Sequence, residues 1–518
     1  MKSVKKSIAK ANIYAKANKY AKANKYAKAN KYTKKKYKTT YNNSKMLHNF
    51  YGVLLKKYEN LDYKLNNSNS NSNSNSNSNS NSNSSMGKLL HVLYNEFSNK
   101  QKIINAINVE KSRSYEDNKT NIKKKINAIV EKHLRSTKYI DETIINYITT
   151  NVNCKIVTYE NVIKGKTYVF DFIIYDNKIS IKKLDLVVES MLLFLQVLIA
   201  ISNNEMRNGQ HVTFFLTPFQ KKLNSNNHII LGAKNVNSGF TYPNLESGIT
   251  FIYRMEEFFK VFVHESVHYY GIDKALHKDF NSNANYNKFV DLFSISNKNF
   301  NAIGINEAIT EFWTFIMYLC VISYKKDINI SDFVYQFERL YKLELIHLIF
   351  QLVKILNYNK LTYNQFISKS NTYYNESSHI FSYYIVKTLL VYNHEELLKS
   401  NIFEFIVNNT NNTNSTNNTN STNKLNIILK HDINSINKLF VILSKYALDT
   451  NFIKFVNKIS MFYNNNHNNH NNHNNHNNHN NHNNHNNHNN HNNHNNHNNN
   501  NRFIFNNLRM MSSDYIIL

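Results

Sequence analysis

The sequence predicts an α+β fold: a mixed α/β lobe leads into a helix bearing two histidines, and a mostly helical lobe follows. Three observations carry this reading. Between residues 151 and 252, short runs rich in β-branched and aromatic residues recur, bounded by polar residues or proline. From 303 to 463, apolar residues recur at spacings of three and four. Six of the nine glycines (Gly209, Gly232, Gly239, Gly248, Gly271, Gly304) and both prolines, Pro218 and Pro243, fall between 209 and 304. In a chain so poor in these residues, the clustering marks a region of specific backbone geometry.

In chain order, residues 1–85 read as a disordered basic repeat arm and linker. Residues 66–84 alternate Asn and Ser, bury nothing apolar and cannot offset the entropy of ordering. Residues 86–150 read as helical, with apolar spacing in "MGKLLHVLYNEF" and "NIKKKINAIVEKHL". "CKIVTYE" and "KTYVFDFIIYD" read as strands. "LDLVVESMLLFLQVLIAI", 184–201, is interrupted by Asp185, Glu189 and Gln196 and reads as a buried helix rather than a membrane span. "HVTFFLTP" is a strand ended by Pro218. "HIILGAKNVNSGFTYP" predicts strand, turn and a second extended piece, and "GITFIYR" a last short strand. That strand runs into "MEEFFKVFVHESVHYYG", a helix with Gly271 as its C-terminal cap. The α/β lobe thus takes 151–302 and the helical lobe 303–463, with an Asn/Thr/Ser insert at 408–423. Residues 464–501 carry His at every third position among Asn and read as a disordered tract, and 502–518 close the chain.

The chemistry gathers in "VFVHESVHYYGIDKALH", 261–277. A helix brings positions i and i+4 onto one face, so His264 and His268 can each point a nitrogen at one ion. Glu265 is rotated by about 100 degrees and is free to act as a base on water. This is the H-E-x-x-H arrangement, whose chemistry is hydrolysis by zinc-activated water. The bland alternative is a histidine pair facing core or solvent. A third ligand could follow at once, as in H-E-x-x-H-x-x-G-x-x-H. Gly271 fits that pattern, but its last position is Lys274, and Asp273 and His277 are out of register. The other source is "GINEAITEFW", 304–313, where Glu307 and Glu311 lie four apart on a second expected helix. They could equally be solvated charges on an amphipathic face.

H-E-x-x-H followed by N-E-x-x-x-E resembles the gluzincins, the thermolysin-like and aminopeptidase-like zinc peptidases. The layout is also similar to uncharacterised metallopeptidases of large DNA viruses and protists. The resemblance implies a zincin-like fold, a Zn²⁺ cofactor and a peptide or protein substrate. It implies His264, His268 and Glu307 as metal ligands, Glu265 as general base, and Glu311 as the carboxylate that orients a ligand imidazole. It further implies an edge strand that pairs with substrate backbone, for which Asn235, Asn237 and Gly239 are candidates. Tyr383 and His379 are candidates for stabilising the oxyanion. The departure is spacing: thirty-eight residues separate His268 from Glu307, about twice what the resemblance leads one to expect.

The net charge of +28 is uneven: residues 1–65 hold 18 Lys against Glu59 and Asp62. That arm reads as a solvated tail. A transit peptide or a weak polyanion tether stays open, and the tether would suit a second reading, a catalytically silent zincin-fold scaffold. With no apolar signal region near the start, no transmembrane segment, and only Cys154 and Cys320, the expectation is an intracellular, cytoplasmic protein.

Overall fold

The computed structural model describes residues 44–58, 84–175, 179–202, 209–242, 248–272, 284–295, 304–368, 373–400, 402–408, 424–429, 433–476 and 503–513. The expectations for the first 43 residues, the Asn/Ser run, 409–423 and 477–501 fall outside them.

Helix α1 spans 44–58 and α2 Ser85–Asn105. A strand the sequence did not announce, β1 (Arg113–Glu116), follows; it is short and polar, and exists by pairing with a neighbour. Helix α3 (Lys119–Ile129) continues into a π-turn at Val130–Leu134, and α4 covers Glu142–Thr150. Strands β2 (Lys155–Ile163) and β3 (Lys166–Ile174) form a hairpin over Lys164 and Gly165, both at positive φ as a tight primed turn requires. Helix α5 (Ile181–Ser202) crosses to β4 (Gly209–Phe215), which lies parallel to β3. Then come a helical turn α6 (Ala233–Val236), β5 (Gly239–Tyr242) and β6 (Ile249–Ile252). The sheet order is β1-β2-β3-β4-β6-β5, so β5 is an edge strand, antiparallel to β6.

The strands obey a period of two. Val157, Phe172, Phe214 and Ile252 join the main core with α5, whereas Ile156, Ile173, Phe215 and Phe251 join Ile122, Ile126, Ile144 and Ile148 in a second core under α3 and α4. The second half of helix α5, Met191 to Leu198, is apolar nearly all round because it is buried on every side. It and the helix at Ile305–Ser323 are long and apolar enough to cross a membrane, yet both are largely buried within the fold.

From β6 the chain enters α7 (Phe258–Tyr269), then α8 (Ala284–Val290), α9 (Ile305–Ser323), α10 (Ile330–Tyr358) and α11 (Tyr363–Ile367). A π-helical segment, Phe381–Val386, runs into α12 (Lys387–Tyr392) and α13 (His394–Lys399). Strands β7 (Phe403–Asn408) and β8 (Lys424–Leu429) pair across the Asn/Thr insert, within a lobe expected to be mostly helical. Helices α14 (Ile433–Ala447) and α15 (Thr450–His476) follow. The latter runs into the Asn/His tract, because extending an existing helix is cheaper than nucleating one. The first extended piece expected in 228–242 is absent: Leu231 makes a lone bridge to Glu376, and the chain turns into α6.

One buried charge ties α3 to the sheet. Asp171 on β3 accepts from Thr158 on β2, from Lys125 on α3 (3.1 Å) and pairs with His211 on β4 (2.9 Å). Burial alone would raise its pKa, but the His211 and Thr158 hydrogen bonds and the Lys125 charge outweigh it and hold it at about 2. A carboxyl whose folded pKa lies below its unfolded value stabilises the fold above the latter and loses that contribution as pH falls toward the former. We expect wild type to lose about 2 kcal/mol relative to Asp171→Asn between pH 5 and 2, two pH units' worth of linkage, read from urea denaturation across that range.

Candidate metal centre

Helix α7 is buried along almost its whole length, so its polar residues face protein rather than solvent. It ends as the sequence suggested. Gly271 sits at φ +71, its N–H bonds the carbonyl of His268 (3.0 Å), and Ile272 N–H bonds that of Val267 (3.3 Å), a Schellman closure. Helix α9 packs across α7 and brings Glu307, in its first turn, against the two histidines.

Three atoms converge there. His264 Nε2 and His268 Nε2 are 3.1 Å apart, and Glu307 Oε2 lies 3.4 Å from the first and 3.5 Å from the second. Among the described residues this is the group of His, Cys, Asp or Glu that could hold a metal ion. Glu307 Oε2 is buried with no hydrogen-bond donor. Two ring nitrogens and a carboxylate oxygen this close can turn their lone pairs on one point, an arrangement that a bound cation stabilises. The spacing agrees: four-coordinate zinc with nitrogen and oxygen ligands at about 2.0–2.1 Å sets neighbouring ligand atoms about 3.3 Å apart. The donor set fits a chelated metal ion.

The other face of His264 meets Glu311, fully buried, with Nδ1 2.7 Å from Oε1 in a charge contact off the line of a regular hydrogen bond. The same carboxylate takes Lys260 on Oε1 and Lys387 on Oε2 (2.7 Å). Burial would raise the Glu311 pKa, but Lys260, Lys387 and His264 hold it well below the carboxylate range. Burial pushes Lys387 down to about 8 against the pull of Glu311. The two lysines were not anticipated. Each had a signal: it is the lone charge in an apolar helical run, "FFKVFV" and "IVKTLLV".

Glu265 is buried next to the ligands, and its pKa is raised by burial, with His264 and His268 opposing. It abuts the start of β5: a Cβ on Gly239 would lie 3.2 Å from Glu265 Oε1 and 2.8 Å from Val261 Cγ1. Gly239 therefore opens the edge strand beside Glu265. Asn235 and Asn237 do not lie in that strand. Asn235 is in α6, where its amide accepts from Gly232 N–H (3.1 Å) and donates to Lys222 O (2.9 Å). Asn237 caps the same turn, its carbonyl held by Arg254 (2.8 Å) and its side chain by Ser378 (3.3 Å). Both are spent on shaping the turn. Tyr383 lies in the π-helical segment with its ring centroid 6.2 Å from that of His264. Burial and then the nearby carboxylates raise its pKa, so it stays a donor. His379, one turn earlier, lies against Gly304 at the start of α9, its ring centroid 6.2 Å from that of Tyr383.

This H-E-x-x-H site with a downstream glutamate matches that of a gluzincin-like metallopeptidase, and it supports a metal-dependent hydrolytic enzyme with a glutamate base. No family model, curated protein or solved structure matches the chain.

Replacing Glu311 should be costly, because it leaves two buried ammonium groups without their carboxylate. We expect Glu311→Gln to lose roughly 3–5 kcal/mol of stability and about 10- to 100-fold in metal affinity, measured by denaturation and by competition with a chelating dye.

Proposed function

We propose that this chain is a zinc-dependent peptidase acting on an extended peptide segment. The observation that carries the proposal is the convergence of two imidazole nitrogens and one carboxylate oxygen within 3.1–3.5 Å on crossed helices. Two imidazoles and a carboxylate are a donor set suited to catalytic zinc, with a fourth position left for water or substrate. His264, His268 and Glu307 would hold the ion. Zinc bound there would supply Lewis acidity, polarising a carbonyl and lowering the pKa of water beside it.

The remaining steps belong to the chain. Glu265 Oε1 takes a proton from the attacking water and delivers it to the leaving amine. Its raised pKa suits both halves of that task, since a base that must later act as an acid works best near the operating pH. Tyr383 keeps its phenolic proton and offers it to the oxygen on which charge develops. Substrate lies antiparallel or parallel along the free edge of β5, joined by backbone hydrogen bonds, with Gly239 leaving room for Glu265. Pairing through the backbone favours an extended peptide over a compact small molecule.

Glu265→Gln should bind zinc with wild-type stoichiometry and lose at least about 10²-fold in kcat on a peptide library. His268→Ala should lose both zinc and hydrolysis. Wild-type turnover by Glu265→Gln would sink the mechanism. A zinc-loaded wild type that cleaves no peptide would point to a binding protein that keeps the fold.

A further inference from the structure

Residues 503–513 run through the interior between α7, α10 and the π-helical segment, and Leu508, Arg509 and Met511 are fully buried. They are held as a bound peptide is held. Glu344 of α10, fully buried, accepts from the N–H groups of Ser512 (2.7 Å) and Ser513 (2.6 Å) and from the Ser512 hydroxyl (2.7 Å). Glu256 takes the Arg509 guanidinium at 2.7 Å, Glu257 the N–H of Met511 at 2.8 Å, and Lys354 donates to the carbonyls of Ile504 (2.8 Å) and Asn507 (2.7 Å). Without the segment, Glu344 and Glu256 would be buried charges stripped of these donors, so the body is built around an occupant.

The occupant also reaches the metal centre. Met510 presents its sulfur to Lys260 Nζ (3.1 Å) and its carbonyl to Lys387 Nζ (3.4 Å), the two ammonium groups that grip Glu311. We infer that residues 503–513 act as an intramolecular peptide ligand held by the buried Glu256, Glu257, Glu344 and Lys354, and that through Met510, Lys260 and Lys387 they position Glu311 and hence His264 for the metal. The inference rests on the metal-site reading, not on the identity of the substrate. Lys260, Lys387 and Met510 are positioning residues; none touches the three ligand atoms.

A protease site placed between residues 477 and 500 of the full chain and cleaved to completion should leave both fragments co-eluting, with the dissociation constant for Zn²⁺ within about twofold of the uncut chain. Arg509→Ala in the full chain should weaken Zn²⁺ about 10- to 100-fold, the loss typical of a removed supporting contact. In the cut Arg509→Ala chain, excess synthetic peptide of wild-type sequence 503–518 should restore Zn²⁺ affinity, whereas the Arg509→Ala peptide should not; a merely misfolded chain would answer to neither. Should Arg509→Ala fail to express, the cut wild-type chain still decides: displacing its tail with excess Arg509→Ala peptide must weaken Zn²⁺, and displacing it with excess wild-type peptide must not. Separation of the tail with Zn²⁺ affinity unchanged overturns the inference, as does wild-type affinity in Arg509→Ala. Loss of hydrolysis with zinc retained would count against the peptidase reading and leave this one standing.

Discussion

The structure turns on a carboxylate that water cannot reach. Glu311 is fully buried, and its two oxygens are shared by Lys260, Lys387 and His264. Those partners come from α7 and α12, and Glu311 itself from α9. One ionised group therefore fixes the mutual position of three helices, and it does so behind the imidazole that faces Glu307. Apolar packing around Phe312 and Trp313 sets α9 close to its neighbours but tolerates sliding. A buried ion pair does not, because a shift that opens it leaves uncompensated charge.

Such a network is a poor source of net stability and a strong source of specificity here. Desolvating Glu311, Glu256, Glu257 and Glu344 costs several kcal/mol each, and well-packed apolar residues of like volume would fold as well or better. The stabilising term is the aromatic and aliphatic core on both faces of the sheet. What the charges add is register: they allow one arrangement of α7, α9, α12 and the C-terminal segment, and a metal site needs its donors within fractions of an ångström.

The sequence made the ligands legible because helical periodicity is a strong local rule. His264 and His268, four apart, and Glu307 at the head of an apolar helix needed only the helices to cross. The strands from 155 to 252 were readable for a similar reason: their alternation separates two cores. What stayed hidden is non-local. Strand β1 exists only by pairing with β2, and β7 with β8. Asn235 looked like an edge-strand residue because Asn suits both turns and exposed edges, and only its bond to Gly232 N–H decides between them. The long gap between His268 and Glu307 is not mere padding, since it includes α8, whose Tyr286, Phe289 and Val290 are buried. Lys260 and Lys387 were visible as lone charges in apolar runs, but naming their partner required the fold.

The low-complexity tracts fit the same logic. Asn408 and Lys424, which flank the Asn/Thr insert in sequence, are paired directly across the β7–β8 hairpin. Residues 477–502 separate α15 from a segment anchored by Arg509 and Glu344. Lengthening a loop whose ends are already held costs only about 0.6 kcal/mol per doubling. Where both ends of an insert are held by contacts of their own, its length is nearly free to drift without moving the residues it joins. A chain can then carry long runs of Asn and still bring Met510 to the lysines behind the metal, because the position of that residue is set by what surrounds it in the interior rather than by the route taken to reach it.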